Sequence, residues 1–159
     1  MTEQGSRSGP LVRAGLLIGI GMGGFIDGIV MHQILQLHNM LSAKLPPDDL
    51  VATKTNMVWD GYFHLGVWIV TAFGVAALFR VAREPGVLWS GKALFGAALA
   101  GWGLFNLVEG IIDHQVLGLH HVVERATNKL PYDLAFLASG VIFMAVGALL
   151  IRSASAPRS

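Results

Sequence analysis

The apolar residues fall into four long runs, near 11–38, 57–80, 93–119 and 132–152. Each can cross a hydrocarbon layer, which takes about 20 helical residues. Polar, proline-bearing stretches follow the first run ("KLPPDD") and the third ("NKLP"), and "RVAREPGVLWSGK" forms a short basic turn between the second and third. The pattern predicts an all-α polytopic membrane protein: one domain over 1–159, with four transmembrane helices in a bundle and short disordered tails at 1–9 and 153–159. No small-residue cleavage site follows a short apolar core in the first run, so it reads as a spanning helix rather than a signal peptide.

Composition agrees. Only 13% of residues are charged, against about 25% in soluble domains, so the lipid bilayer is the expected surrounding. A net charge of +1 gives no electrostatic case for nucleic acid. The absence of cysteine removes disulfides, thiolate metal sites and cysteine nucleophiles. Arg7, Arg13, Arg80, Arg83, Lys92, Arg152 and Arg158 fall on one side of the predicted membrane, and Lys44, Lys54, Arg125 and Lys129 on the other. The positive-inside rule makes the richer side cytoplasmic, with both termini. Trp59, Trp89 and Tyr132 lie at span ends and read as interfacial anchors.

The chain repeats itself. Residues 19–38 align without a gap on 101–120 with nine of twenty positions identical, and Asp27 pairs with Glu109. "VWDGYF" at 58–63 then matches "PYDLAF" at 131–136, pairing Asp60 with Asp133. Two helical-hairpin repeats, approximately 11–80 and 93–152, are therefore expected to run parallel about an axis along the membrane normal. Gly15, Gly19, Gly23, Gly24, Gly101 and Gly103 read as close helix contacts in lipid. The string 19–24 is no nucleotide loop, since no strand precedes it.

Within the repeat the spans carry Asp27, His32, Asp60, His64, Glu109, Asp113 and His114. On regular helices Asp27 and Glu109 lie roughly 15 Å below the outer ends, His64 about 10–12 Å, and the rest about 6–9 Å. A central Asp costs about 2.5 to 3.5 kcal/mol on insertion scales. Three or four carboxylates would cost roughly 10 kcal/mol without compensation by protons, histidine partners, water or a metal. The favoured reading is a transition-metal ion (copper, zinc or iron) held by these seven residues, for storage, delivery or oxidase assembly. Gln33, Gln115 and Asn106 would support the ligands. His38, His120 and His121, at the outer boundary, read as an entry site. Met31, Met40 and Met57 lie near the same end, and thioethers favour Cu(I). Asp133 reads equally as a helix N-terminal charge or a ligand.

One geometric obstacle stands out. His32 follows Asp27 by five residues, so on an ideal helix the two point about 140° apart. Either the histidines face a neighbouring helix, or the glycine at 28 and 110 permits a local distortion. The alternatives to a metal ion are one b-type haem between His32 and His114, a proton or ion conductor, and a structural partner of a respiratory complex. The paired Glu-x-x-His of diiron bundles is missing. Neither a serine–histidine–acid set nor a phosphate loop is present.

"GFIDGIVMHQILQLHNM" and "FNLVEGIIDHQVLGLHHV" together resemble the two signatures of a family of bacterial membrane proteins known as domain of unknown function 2243. The resemblance covers nearly the whole chain. It implies a polytopic bacterial membrane protein and assigns no activity; the expected location is the bacterial inner membrane. It also points towards copper, and towards respiratory-chain or metal-handling proteins as partners, through assembly of copper-containing terminal oxidases.

Overall fold

A computed structural model describes residues 8–154. Among them there are four long helices and no strand. Helix α1 (Gly9–Ile26) continues unbroken into a π-helical segment, Asp27–Ile34. Helix α2 is Leu50–Arg83, and α3 (Gly91–Glu109) continues into a second π segment, Gly110–Val116, before α4, Leu130–Ala154. All four are long and apolar enough to cross a membrane. Asp49 caps α2 by accepting from the Ala52 N–H, and Ser90 caps α3 through Ala93.

The helices stand in a row rather than a closed bundle. α1 and α3 pack together in the middle, with α2 chiefly on α1 and α4 chiefly on α3. Burial follows that order, since 44% of each central span is buried against 17% and 11% of α2 and α4. The outer helices therefore turn most of their apolar surface towards lipid. The middle contact is backbone on backbone. A Cβ on Gly19 would collide with the carbonyl of Ala98, and one on Gly101 with the carbonyl of Leu16. Leu11, Val81 and Ala93 form an apolar plug, packed by Ala154, at the end holding both described termini.

Element edges depart from the apolar runs. α2 and α4 extend the predicted spans at both ends, whereas the first and third spans stop at Ile34 and Val116 instead of 38 and 119. The reason is the turn that follows each π segment. Most of both expected tails lies outside the described residues, but Gly9, Ser153 and Ala154 are helical. Trp89 and Tyr132 are exposed near helix ends, as an anchor needs, whereas Trp59, also exposed, lies nine residues into α2.

Candidate metal centre

The π segments remove the geometric obstacle. Their backbone bonds run from residue i to i−5, as from Leu35 N–H to Val30 and from Leu117 N–H to Ile112. Widening the turn by one residue brings positions five apart onto a common face. His32 Nε2 consequently lies 3.0 Å from Asp27 Oδ2, both on one chain segment. Gly28 leaves room for this shape. A Cβ there would sit 2.6 Å from His64 Nε2, and one on Gly110 would sit 2.7 Å from Leu137.

Each π segment ends in a reversal. Gln36 has φ 51° and its counterpart Gly118 has φ 55°, so both halves use a left-handed residue. That conformation is uncommon for a side chain other than glycine. The reversal carries His38 and His120 back into the protein, where they are 3% and 0% exposed. The sequence places them at the solvent boundary as an entry site by continuing a straight helix. The structure instead puts them in the middle of the cluster.

Four imidazoles meet there. The His38 and His120 rings stack with centroids 4.5 Å apart and planes 4° from parallel. His32 stands edge-on to His38 at 4.5 Å and His114 edge-on to His120 at 4.8 Å. Corresponding residues make corresponding contacts. His38 Nδ1 bonds the Val122 carbonyl at 2.9 Å, and His120 Nδ1 the Met40 carbonyl at 3.2 Å. The loop of each half thus holds the second histidine of the other. His32 Nδ1 meets Asp60 at 2.9 Å, and His114 Nδ1 lies 3.5 Å from Asp133. The Met40 N–H donates to Asp60 and the Val122 N–H to Asp133, fixing both carboxylates from the loops.

These bonds settle the tautomers of the stacked pair. A backbone carbonyl only accepts, so Nδ1 of His38 and of His120 carries the proton, and Nε2 presents a lone pair when the ring is neutral. Burial pushes His120 down, to about 2, with His38, His114 and His32 adding to the effect, so its ring is a neutral donor. Facing it are more acceptors. Asp27 Oδ2, both Glu109 carboxylate oxygens and Nε2 of His32, His38, His114 and His120 are all buried without a hydrogen-bond partner. The 3.0 Å approach of His32 Nε2 to Asp27 is close but misaligned for an N–H···O bond. Such groups each cost about 1–3 kcal/mol if left unsatisfied. Unpaired lone pairs gathered in one buried cluster could hold a cation.

One donor atom each from His32, His38, Glu109 and His120 lies within 4.8 Å of the others. Around an ion with bonds of about 2.0–2.1 Å, tetrahedral ligands stand roughly 3.4 Å apart, so this set needs to close by about an ångström. His120 Nε2 is already 3.5 Å from Glu109 Oε1. The outer bonds to Asp60, Val122 and Met40 are those that orient metal-binding histidines elsewhere.

The other predicted residues are dispersed. Asp27 and His114 flank the four donors, while Asp60 and Asp133 sit behind histidines rather than among the donors. His64 bonds the Asp60 carbonyl and lies outside the four-donor group, although its Nε2 is likewise buried without a partner, and Leu137 stands at its aligned position in the second half. Asp113 is half-buried and does not join the set. His121 is half-buried and bonds Asp133 at 2.7 Å, outside the four-donor group. Gln115 also reaches Asp133, Asn106 bonds Ser139, and Gln33 is exposed.

Neither a curated protein nor a solved structure matches this chain. A family model does match, over residues 14–154. With its four spanning helices and the two histidine motifs inside that range, the chain belongs to the family described as "Predicted membrane protein (DUF2243)".

Proposed function

We propose that this membrane protein binds a transition-metal ion (copper, zinc or iron) through His32, His38, His120 and Glu109, with Asp27 and His114 at the edge of the site. The carrying observation is that buried donor atoms of His32, His38, Glu109 and His120 lie within 4.8 Å of one another, with Nε2 of all three rings and both Glu109 oxygens unpaired. Three imidazoles and a carboxylate suit these metals, and no methionine sulfur is needed. Storage of the ion or its delivery to respiratory-chain or metal-handling partners fits a buried site better than haem chemistry does. The stacked His38 and His120 rings fill the space where a haem between His32 and His114 would lie.

Protein purified in mild detergent without an affinity tag should contain the metal by elemental analysis. A strong chelator should lower its unfolding temperature and added metal restore it. At a hundredfold excess over the dissociation constant the ion adds about 2.7 kcal/mol. Identical melting curves of chelator-stripped protein with and without re-added copper, zinc or iron would refute the reading.

We also propose a bacterial inner-membrane location with cytoplasmic termini, from the seven-to-four excess of basic residues. In intact cells an impermeant thiol reagent should label Asp48→Cys and spare Glu84→Cys. The reverse pattern inverts the topology.

A further inference from the structure

The centre is buried, so an ion needs a path to it, and the two ends of the protein differ sharply in what they offer. At the loop end a cavity of about 960 Å³ opens between the segments around Ala43, Asp48 and Glu124 and the start of α2. Its lining includes His32, His38 and Asp60. The second half's Glu109, His114 and His120 are not part of it. At 1%, 3% and 4% exposure, His32, His38 and Asp60 close its inner end. Three carboxylates, Asp48, Asp60 and Glu124, face two cations, Arg125 and Lys129, and Lys129 is paired with Glu124. Met57, Gln33 and Gln36 add neutral donors.

Among the described residues the opposite end is closely packed. Between the cluster and the termini α1 and α3 meet backbone to backbone, with no room for a methyl group at Gly19 or Gly101. On α3 and α4, a Cβ on Gly103 would stand 2.5 Å from the Gly140 carbonyl, and one on Gly147 2.7 Å from the Ala100 amide. Beyond these contacts lies the apolar plug of Leu11, Val81 and Ala93. Among the described residues the cavity on that side, about 370 Å³ between α1 and α2, is lined by Leu17, Val70, Phe73, Ala76, Ala77 and Arg80, none of which would ligate a cation, and stripping an ion of water in an apolar interior carries a prohibitive cost.

Resting on the metal reading above, we infer that the ion enters and leaves only through the loop-end vestibule, passing Asp60, His32 and His38. The centre is a dead-end site open to one side of the membrane, not a conduit across it. The path reaches the donors of the first half, His32 and His38, while the second half contributes Glu124, Arg125 and Lys129 to the mouth of the vestibule.

The cysteine-free sequence permits a direct test on folded protein. Ala43→Cys is purified, split in two, and one portion is reacted with a bulky maleimide. Both portions are loaded with Co(II), and extraction by excess chelator is followed in the d–d bands. The same is done with Glu84→Cys, at the terminal end. The label at position 43 should slow uptake and extraction at least tenfold while the final amount bound is unchanged, and the label at 84 should change neither rate. Equal rates with and without the label at 43 overturn the single-entry inference and leave the metal centre standing. Slowing by the label at 84 to the same degree likewise overturns it. Failure of every unlabelled sample to take up Co(II), Zn(II) or Cu(I) overturns the metal reading and this inference with it.

Discussion

His32→Ala combined with His120→Ala should abolish stoichiometric metal binding. The pair removes two of the three imidazoles in the four-donor group and one ring from each half. Even partners behind metal ligands are worth about 10–100-fold in affinity, so losing two direct ligands should weaken binding by at least a thousandfold. The chelator-dependent change in unfolding temperature should vanish with it. His114→Ala is expected to cost less than His32→Ala, because His114 lies outside the donor group although the repeat makes the two equivalent. Asp60→Asn should fall between them. It keeps its shape but loses the charge that holds His32 Nδ1 and the Met40 amide. Elemental analysis and melting with and without chelator give the ordering. A double variant holding as much metal as the parent protein would remove these histidines from the site.

The spans were legible because about twenty apolar residues in a row admit little else in a membrane protein. The repeat was legible because the same polar residues recur at one offset. The site was only half legible, and the reason lies in backbone register. A change from i−4 to i−5 bonding leaves no compositional trace, so Asp27 and His32 look opposed on paper and adjoin in the fold. The reversal at Gln36 is equally silent in the first half. Its counterpart, Gly118, carried the available signal, since glycine two residues before a histidine suits a left-handed turn. Without it His38 and His120 are extrapolated outwards to solvent. His64 misleads for the opposite reason. Its spacing from Asp60 is ideal for a shared helix face, yet that spacing lets its Nδ1 bond the Asp60 carbonyl, one turn back on its own helix.

Gly19→Leu should destabilise the protein by about 3 kcal/mol or more, the upper end of what overpacking costs. In lipid no hydrophobic force gathers helices, and association depends on close contact between small residues. Here the contact is with backbone, since any Cβ on Gly19 overlaps the Ala98 carbonyl, and a rotamer change cannot relieve it. α1 and α3 must part. The damage should reach the centre, because α3 carries Glu109 and the two helices continue into the segments bearing Asp27, His32 and His114. Asp27 lies eight residues further on, at the start of the π segment that continues α1, about 12 Å along the helix. Donors that already need to close by about an ångström around an ion would be held further apart, so metal affinity should fall together with stability. Gly66→Leu is the matched control. It sits on the exposed face of α2 with no atom within 4 Å of an added Cβ. It should keep full metal content and gain up to about 1 kcal/mol in helix propensity. Unfolding in detergent and metal content, measured on both variants, decide the matter. Equal melting of the two would show that the α1–α3 backbone contact does not hold the centre together.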